Sequence, residues 1–241
     1  MKFRLPLIAG LFGVPAALLL IAVLFLKIAY LHQEKQAAAL LTEIRSLNVG
    51  RSTTAQTICV VSEFGGVSDE SSNDAACIAR DSSYRVVIAN NIVNKLALSV
   101  PALRSVAHPR GVLATFLLKG GTLCYVQFLI ETQPLPNELL RVSGTEVLPQ
   151  GSPEARWNPF QTHYRPVRLF EAQVTSTASS EQKNKAFDFD LSCLGKFEGC
   201  RAACELMPSA WWEYQSTVRK ERRTLPPEEM DGRPCKSQGI R

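Results

Sequence analysis

Histidine is scarce in this chain: three residues in 241, at His32, His108 and His163. That excludes a histidine-rich metal centre. The sequence also lacks a P-loop, a Rossmann glycine fingerprint, a G-x-S-x-G elbow and an H-E-x-x-H pair. No internal repeat or low-complexity run is present. Strong net charge is missing too: 27 Lys and Arg against 22 Asp and Glu leave +5, weak support for a nucleic-acid partner. Hydrophobic residues at 46% and charged residues at 20% give a globular balance.

The most informative absence is local. Residues 5–26 contain no charge at all. Twenty-two residues at about 1.5 Å each match a hydrocarbon core of roughly 30 Å, so residues 1–31 read as a transmembrane signal-anchor. Pro6 falls in the first turn, and Pro15 is of a kind that membrane helices tolerate. Lys27 can snorkel and Tyr30 suits the headgroup level. A cleaved signal peptide is the competing reading. Its apolar region is shorter, and the A-x-A-like stretch here, residues 37–39, lies beyond polar residues 32–35. Lys2 and Arg4 precede the span, so the amino terminus is expected in the cytoplasm and the bulk of the chain outside it, at the cell membrane.

Residues 32–49 read as a juxtamembrane helix whose Ala37, Leu40, Leu41, Ile44 and Leu47 form one apolar stripe. Such a stripe packs on its own domain or on a partner helix. Residues 50–223 read as an α+β domain: a mixed, mainly antiparallel sheet with a few helices. Expected strands cover 57–62, 84–89, 112–118, 123–130, 139–148, 167–175 and 186–192. Gly120 and Gly121 between the third and fourth suit a positive-φ hairpin turn. Cys124, Val126, Phe128 and Ile130 are expected on one apolar face. Asn90 or Asn91 should cap a short helix carrying Ile92, Leu96 and Val100. Residues 63–74, 149–159 and 176–184 read as loops, 199–207 and 209–223 as helices, and 224–241 as a mobile tail.

Seven cysteines include one cluster, Cys193, Cys200 and Cys204. In an exported domain Cys193 can bridge to Cys200 or Cys204, whereas a bridge between Cys200 and Cys204 within one helix has poor geometry. Metal binding and dithiol redox chemistry are the other readings. The C-x3-C spacing beside an N-terminal anchor resembles the copper chaperones of cytochrome oxidase assembly. In that family the pair opens a thioredoxin-like fold with a ligand histidine downstream, and here no histidine follows Cys204. Cys59 and Cys124 read as core thiols. Asp188 and Asp190 share a face that suits solvent better than a cation.

Trp211, Trp212 and Tyr214 precede Arg219, Lys220, Arg222 and Arg223. Aromatics followed by cations suit a membrane or partner surface; the plainer reading buries the aromatics in the core. No residue is assigned to catalysis, metal or cofactor binding. The expectation is a non-catalytic, membrane-tethered binding or assembly domain, an accessory subunit among other membrane proteins. An anchored thiol-redox or metal-handling protein is the alternative.

Overall fold

Helix α1 runs without interruption over Leu5–Ser46, 42 residues or about 63 Å. The computed structural model describes residues 5–68, 81–99, 108–135, 138–149, 155–162 and 167–220. Within these, the side chains at 5–16, 18–19, 96–98, 135, 158–162 and 218–219 lie outside the described set. Among the described residues no helix is long and apolar enough to cross a membrane. Of the charge-free run, the described side chains are Ala17 and residues 20–26.

The second half of α1 is a core element. Ala37, Leu40, Leu41, Ile44 and Leu47 are all buried in the main cluster, so the stripe packs on its own domain. It lies against one face of a seven-stranded sheet ordered β1-β2-β3-β4-β5-β7-β6. The strands are β1 (Val67–Ser68), β2 (Ser82–Ala89), β3 (Arg110–Lys119), β4 (Thr122–Leu135), β5 (Glu138–Val147), β6 (Ala155–Thr162) and β7 (Val167–Thr175). Every pairing is antiparallel except β5 with β7. The α+β, mainly antiparallel expectation therefore holds.

The β3–β4 hairpin forms where the Gly-Gly pair requires it, with φ of 57° at Gly120 and 76° at Gly121. Val126, Phe128 and Ile130 face the main core, but Cys124 does not. The register shifts between Leu117 and Leu118, pairing Leu117 with Tyr125 and Leu118 with Leu123. That bulge moves Cys124 into a separate cluster with Leu117, Tyr125 and Val147.

Three other expectations are corrected. Residues 57–62 are not a strand but the body of helix α2 (Thr54–Glu63). Thr53 and Gln56 make a reciprocal capping box, and Thr57, Val60 and Val61 are buried at helical spacing. The expected crossing at 149–159 ends in the first residues of β6, an edge strand that accommodates Pro159 because the missing N–H can face outward. The expected strand at 186–192 joins no strand ladder among the described residues. Its first residue ends helix α4 (Ser180–Ala186), begun by a second capping box, Ser179 with Gln182, inside what reads as a loop. Phe187, Phe189 and Leu191 are nevertheless buried while Asp188 and Asp190 are exposed, so the alternation is right without a ladder.

Helix α3 (Asn91–Ser99) is capped by the Asn90 side chain, which accepts from the Val93 N–H at 3.0 Å. It buries Val93 and exposes Ile92, the reverse of the expectation at that position, and the Leu96 side chain lies outside the described set. A 3₁₀ turn (Ser192–Gly195) precedes α5 (Ala203–Leu206) and α6 (Pro208–Lys220); Pro208 opens α6 rather than separating two helices. Residues 69–74 of the expected loop, Val100, and the tail at 224–241 lie outside the described residues.

Candidate functional site

At the end of β3 nearest the charge-free run, Arg110 is 2% exposed and on the core side of the sheet. Its guanidinium donates to the carbonyls of Leu194 and Lys196 at 2.7 Å each and Phe197 at 3.1 Å. A longer contact reaches Cys193 O at 3.4 Å. The same group sits 3.8 Å from the ring centroid of Tyr30, which is fully buried. Among the described residues no carboxylate pairs with Arg110. Carbonyl dipoles and a π face hold the charge instead, and burial draws its pKa below the usual arginine value.

The four carbonyls belong to the loop closed by the Cys193–Cys200 disulfide, with Cα atoms 5.0 Å apart. Of the two bridges that spacing left open for Cys193, the one to Cys200 is present. Cys204 and Cys124 are disulfide-bonded as well, so Cys124 is not a free core thiol, and Cys59 is a free cysteine exposed on α2. Gly199 makes the loop's turn at a φ of 66°. Lys27 of α1 donates to Gly195 O at 2.6 Å, and its ammonium lies 5.8 Å from the Phe197 ring centroid.

A second set of bonds ties the other flank of α1. Buried Gln33 donates through Nε2 to Ile88 O and Arg110 O at 3.2 and 3.3 Å. Asn94 of α3 donates to Arg110 O at 2.9 Å and accepts from Arg110 N–H at 3.2 Å. Beside them a cavity of about 340 Å³ is lined by Ala29, His32, Gln33, Gln36 and residues 88–92. Amides dominate its polar lining, which can exchange hydrogen bonds but supplies no nucleophile beside a base. His108 packs nearby, its Nδ1 donating to Gln133 O at 3.0 Å. Burial lowers its pKa, and the bond to Gln133 opposes the shift.

Of the aromatic and basic residues near the carboxyl end, the described side chains are Trp211, Trp212, Tyr214 and Lys220. Trp211 and Tyr214 are buried against Phe170, with centroids 5.4 and 6.1 Å away. Trp212 is 36% exposed and Lys220 is exposed. The Arg219 side chain and residues 222–223 lie outside the described set. Asp188 and Asp190 serve separate partners: Asp188 accepts from the Ser209 hydroxyl, and Asp190 accepts from Ser192 N–H at 3.0 Å. Among the described residues, no three His, Cys, Asp or Glu side chains are grouped to hold a metal ion.

Sequence reasoning missed Arg110. The signal for it is parity: Arg110 shares its side of β3 with Val112, Ala114 and Phe116, the one charge on an otherwise apolar face. No protein-family model, curated protein or solved structure matches this chain, so its functional reading rests on its own residues.

Proposed function

We propose that the chain is a membrane-tethered, non-catalytic binding or assembly domain, anchored by the first half of α1 and held outside the cytoplasm. One observation carries the reading. Tyr30 is fully buried in the domain only four residues, about 6 Å of helix, beyond the charge-free run that ends at Leu26. One continuous helix, α1, runs from the anchor into the core of the domain, so the domain is held at a fixed height and orientation rather than on a flexible stalk. That suits presenting a fixed surface to neighbouring membrane proteins.

The anchor itself is supported by exposure. Leu20 and Ile21 are 71% and 62% exposed, and Val23, Leu24 and Phe25 are exposed as well. At about 100° per residue these positions, with exposed Ala22 filling the remaining side, surround the helix. An apolar helix without a polar face calls for an apolar surround, which a bilayer supplies. The outward orientation is supported by Lys2 and Arg4 before the run and by oxidised cysteines at 124, 193, 200 and 204, chemistry of an oxidising compartment.

The thiol or metal-handling alternative is weaker. Cys193 and Cys200 are buried, bonded to each other and built into the Arg110 cradle, while Cys204 is itself bonded. A working dithiol needs an accessible thiolate.

Native mass spectrometry of the chain released from its own membranes in mild detergent tests the assembly role. Complexes heavier than one chain, containing other membrane proteins in fixed ratio, are expected. A population made up entirely of single chains contradicts it.

A further inference from the structure

The domain grips α1 from two flanks at the same height. On one side Ala29, His32, Gln33 and Gln36 face the β2–α3 corner. On the other, Lys27 bonds Gly195, and Leu31 and Glu34 are the atoms nearest a Cβ placed on Gly195. Around the helix these two sets lie roughly 170° apart. Tyr30 points between them and packs with both Val93 of α3 and Phe197 of the disulfide loop.

Height along α1 then fixes what the underside meets. Lys27 to Tyr30 lie within about 6 Å of Leu26, and the headgroup layer on each side of a bilayer is roughly 5–7 Å thick. Whatever packs on Tyr30 is therefore at headgroup level. Beside Val93 stands Ile92, 62% exposed, and one turn along the same face is exposed Lys95. Beside Phe197 stands exposed Lys196. On α1 itself Ile28 is exposed at the same level. The one acidic side chain in that short loop, Glu198, lies 4.0 Å from Arg201. An exposed isoleucine with a lysine one turn away, and a second lysine on the opposite flank, suit the acyl–headgroup boundary, where phosphates meet the ammonium groups.

We propose that the underside of the domain, Ile92 and Lys95 on one flank of α1 and Lys196 with Phe197 on the other, is a second membrane contact seated on phospholipid headgroups. It rests on the reading of α1 as a bilayer anchor. The domain then lies flush on the membrane, and the amide-lined cavity beside Ile92 opens at the lipid surface.

The test uses the full chain in nanodiscs of phosphatidylcholine with a phosphatidylglycerol fraction. In a Cys59→Ser background, nitroxide is placed on a cysteine introduced by Ile21→Cys, Ile92→Cys or Glu181→Cys, and immersion depth is read by power saturation. Glu181 sits on α4, which lies at the level of Arg45 through the bond from Arg45 to Phe187 O, about 22 Å above Tyr30. Expected results are a lipid environment at 21, interfacial immersion at 92 and an aqueous signal at 181. If 92 is as aqueous as 181 while 21 remains in lipid, the anchor stands and the second contact is overturned. If 21 is aqueous too, the anchor reading fails and takes the contact with it.

Discussion

The guanidinium of Arg110 lies 3.8 Å from the centre of the Tyr30 ring, joining a strand of the domain to the helix that carries the apolar run. The same guanidinium binds the Cys193–Cys200 loop, so one side chain fastens three parts of the chain. Replacing it by a side chain of similar length without donors, Arg110→Met, strands several buried carbonyls. The expected loss is about 3–5 kcal/mol in urea unfolding of the purified chain. A loss under 1 kcal/mol would mean that water replaces the guanidinium.

The disulfide holds those carbonyls in place. Closing a loop of separation 7 contributes about 2–2.5 kcal/mol in the chain-entropy picture. The double variant Cys193→Ser/Cys200→Ser should melt roughly 4–10 °C below wild type in oxidising buffer. Reductant should close the gap. Equal melting in oxidising buffer would show that the loop keeps its shape without the bond.

Two glycines separate steric necessity from mere proximity. A Cβ on Gly144 would stand 2.1 Å from the Ala186 backbone oxygen and 3.1 Å from Phe189, with no flexible end to swing away. Gly144→Ala is expected to cost about 1–3 kcal/mol by thermal or urea unfolding. At Gly195 the close atom is the tip of Glu34, which can rotate, so Gly195→Ala should cost well under 1 kcal/mol. Reversal of that order would contradict the packing described.

The Gly144 contact also shows where the sequence could be read and where it could not. The hairpin turn was legible because Gly120 and Gly121 impose a turn that few other residues accept, while the strand ends and the bulge were not. The α1 stripe was legible because five apolar positions repeat at helical spacing. Residues 57–62 misled because a short apolar run fits strand and helix alike. The deciding signal was the Thr53/Gln56 box just before it. Residues 186–192 alternate as a strand does, yet a ladder depends on a neighbour that alternation cannot supply. The disulfide was within reach of local spacing. Arg110 was not, since the loop carbonyls it binds are 83 to 87 positions away.

Glu146 and Lys183 give a pH test. The Glu146 carboxylate is nearly buried and accepts from Lys183 Nζ at 2.8 Å. Burial raises its pKa, with Lys183 opposing. A folded pKa above the unfolded one means stability is fullest below the unfolded value, near 4.3, and falls as pH rises through the folded value. Lys183→Met removes the opposing charge and widens that window upward. The variant should lose about 2–4 kcal/mol at neutral pH and recover part of it on acidification towards pH 5. A deficit that stays constant from pH 7 to 5 would contradict the role given to Glu146.

The most direct test of the central claim is the intact mass, without reduction, of the chain kept by membranes after an alkaline wash. The account predicts retention in the membrane pellet, a mass that includes residues 1–30, and a deficit of two hydrogens for each disulfide. Recovery in the wash, or a chain beginning near Ala38 or Leu40, would contradict anchoring by the first half of α1.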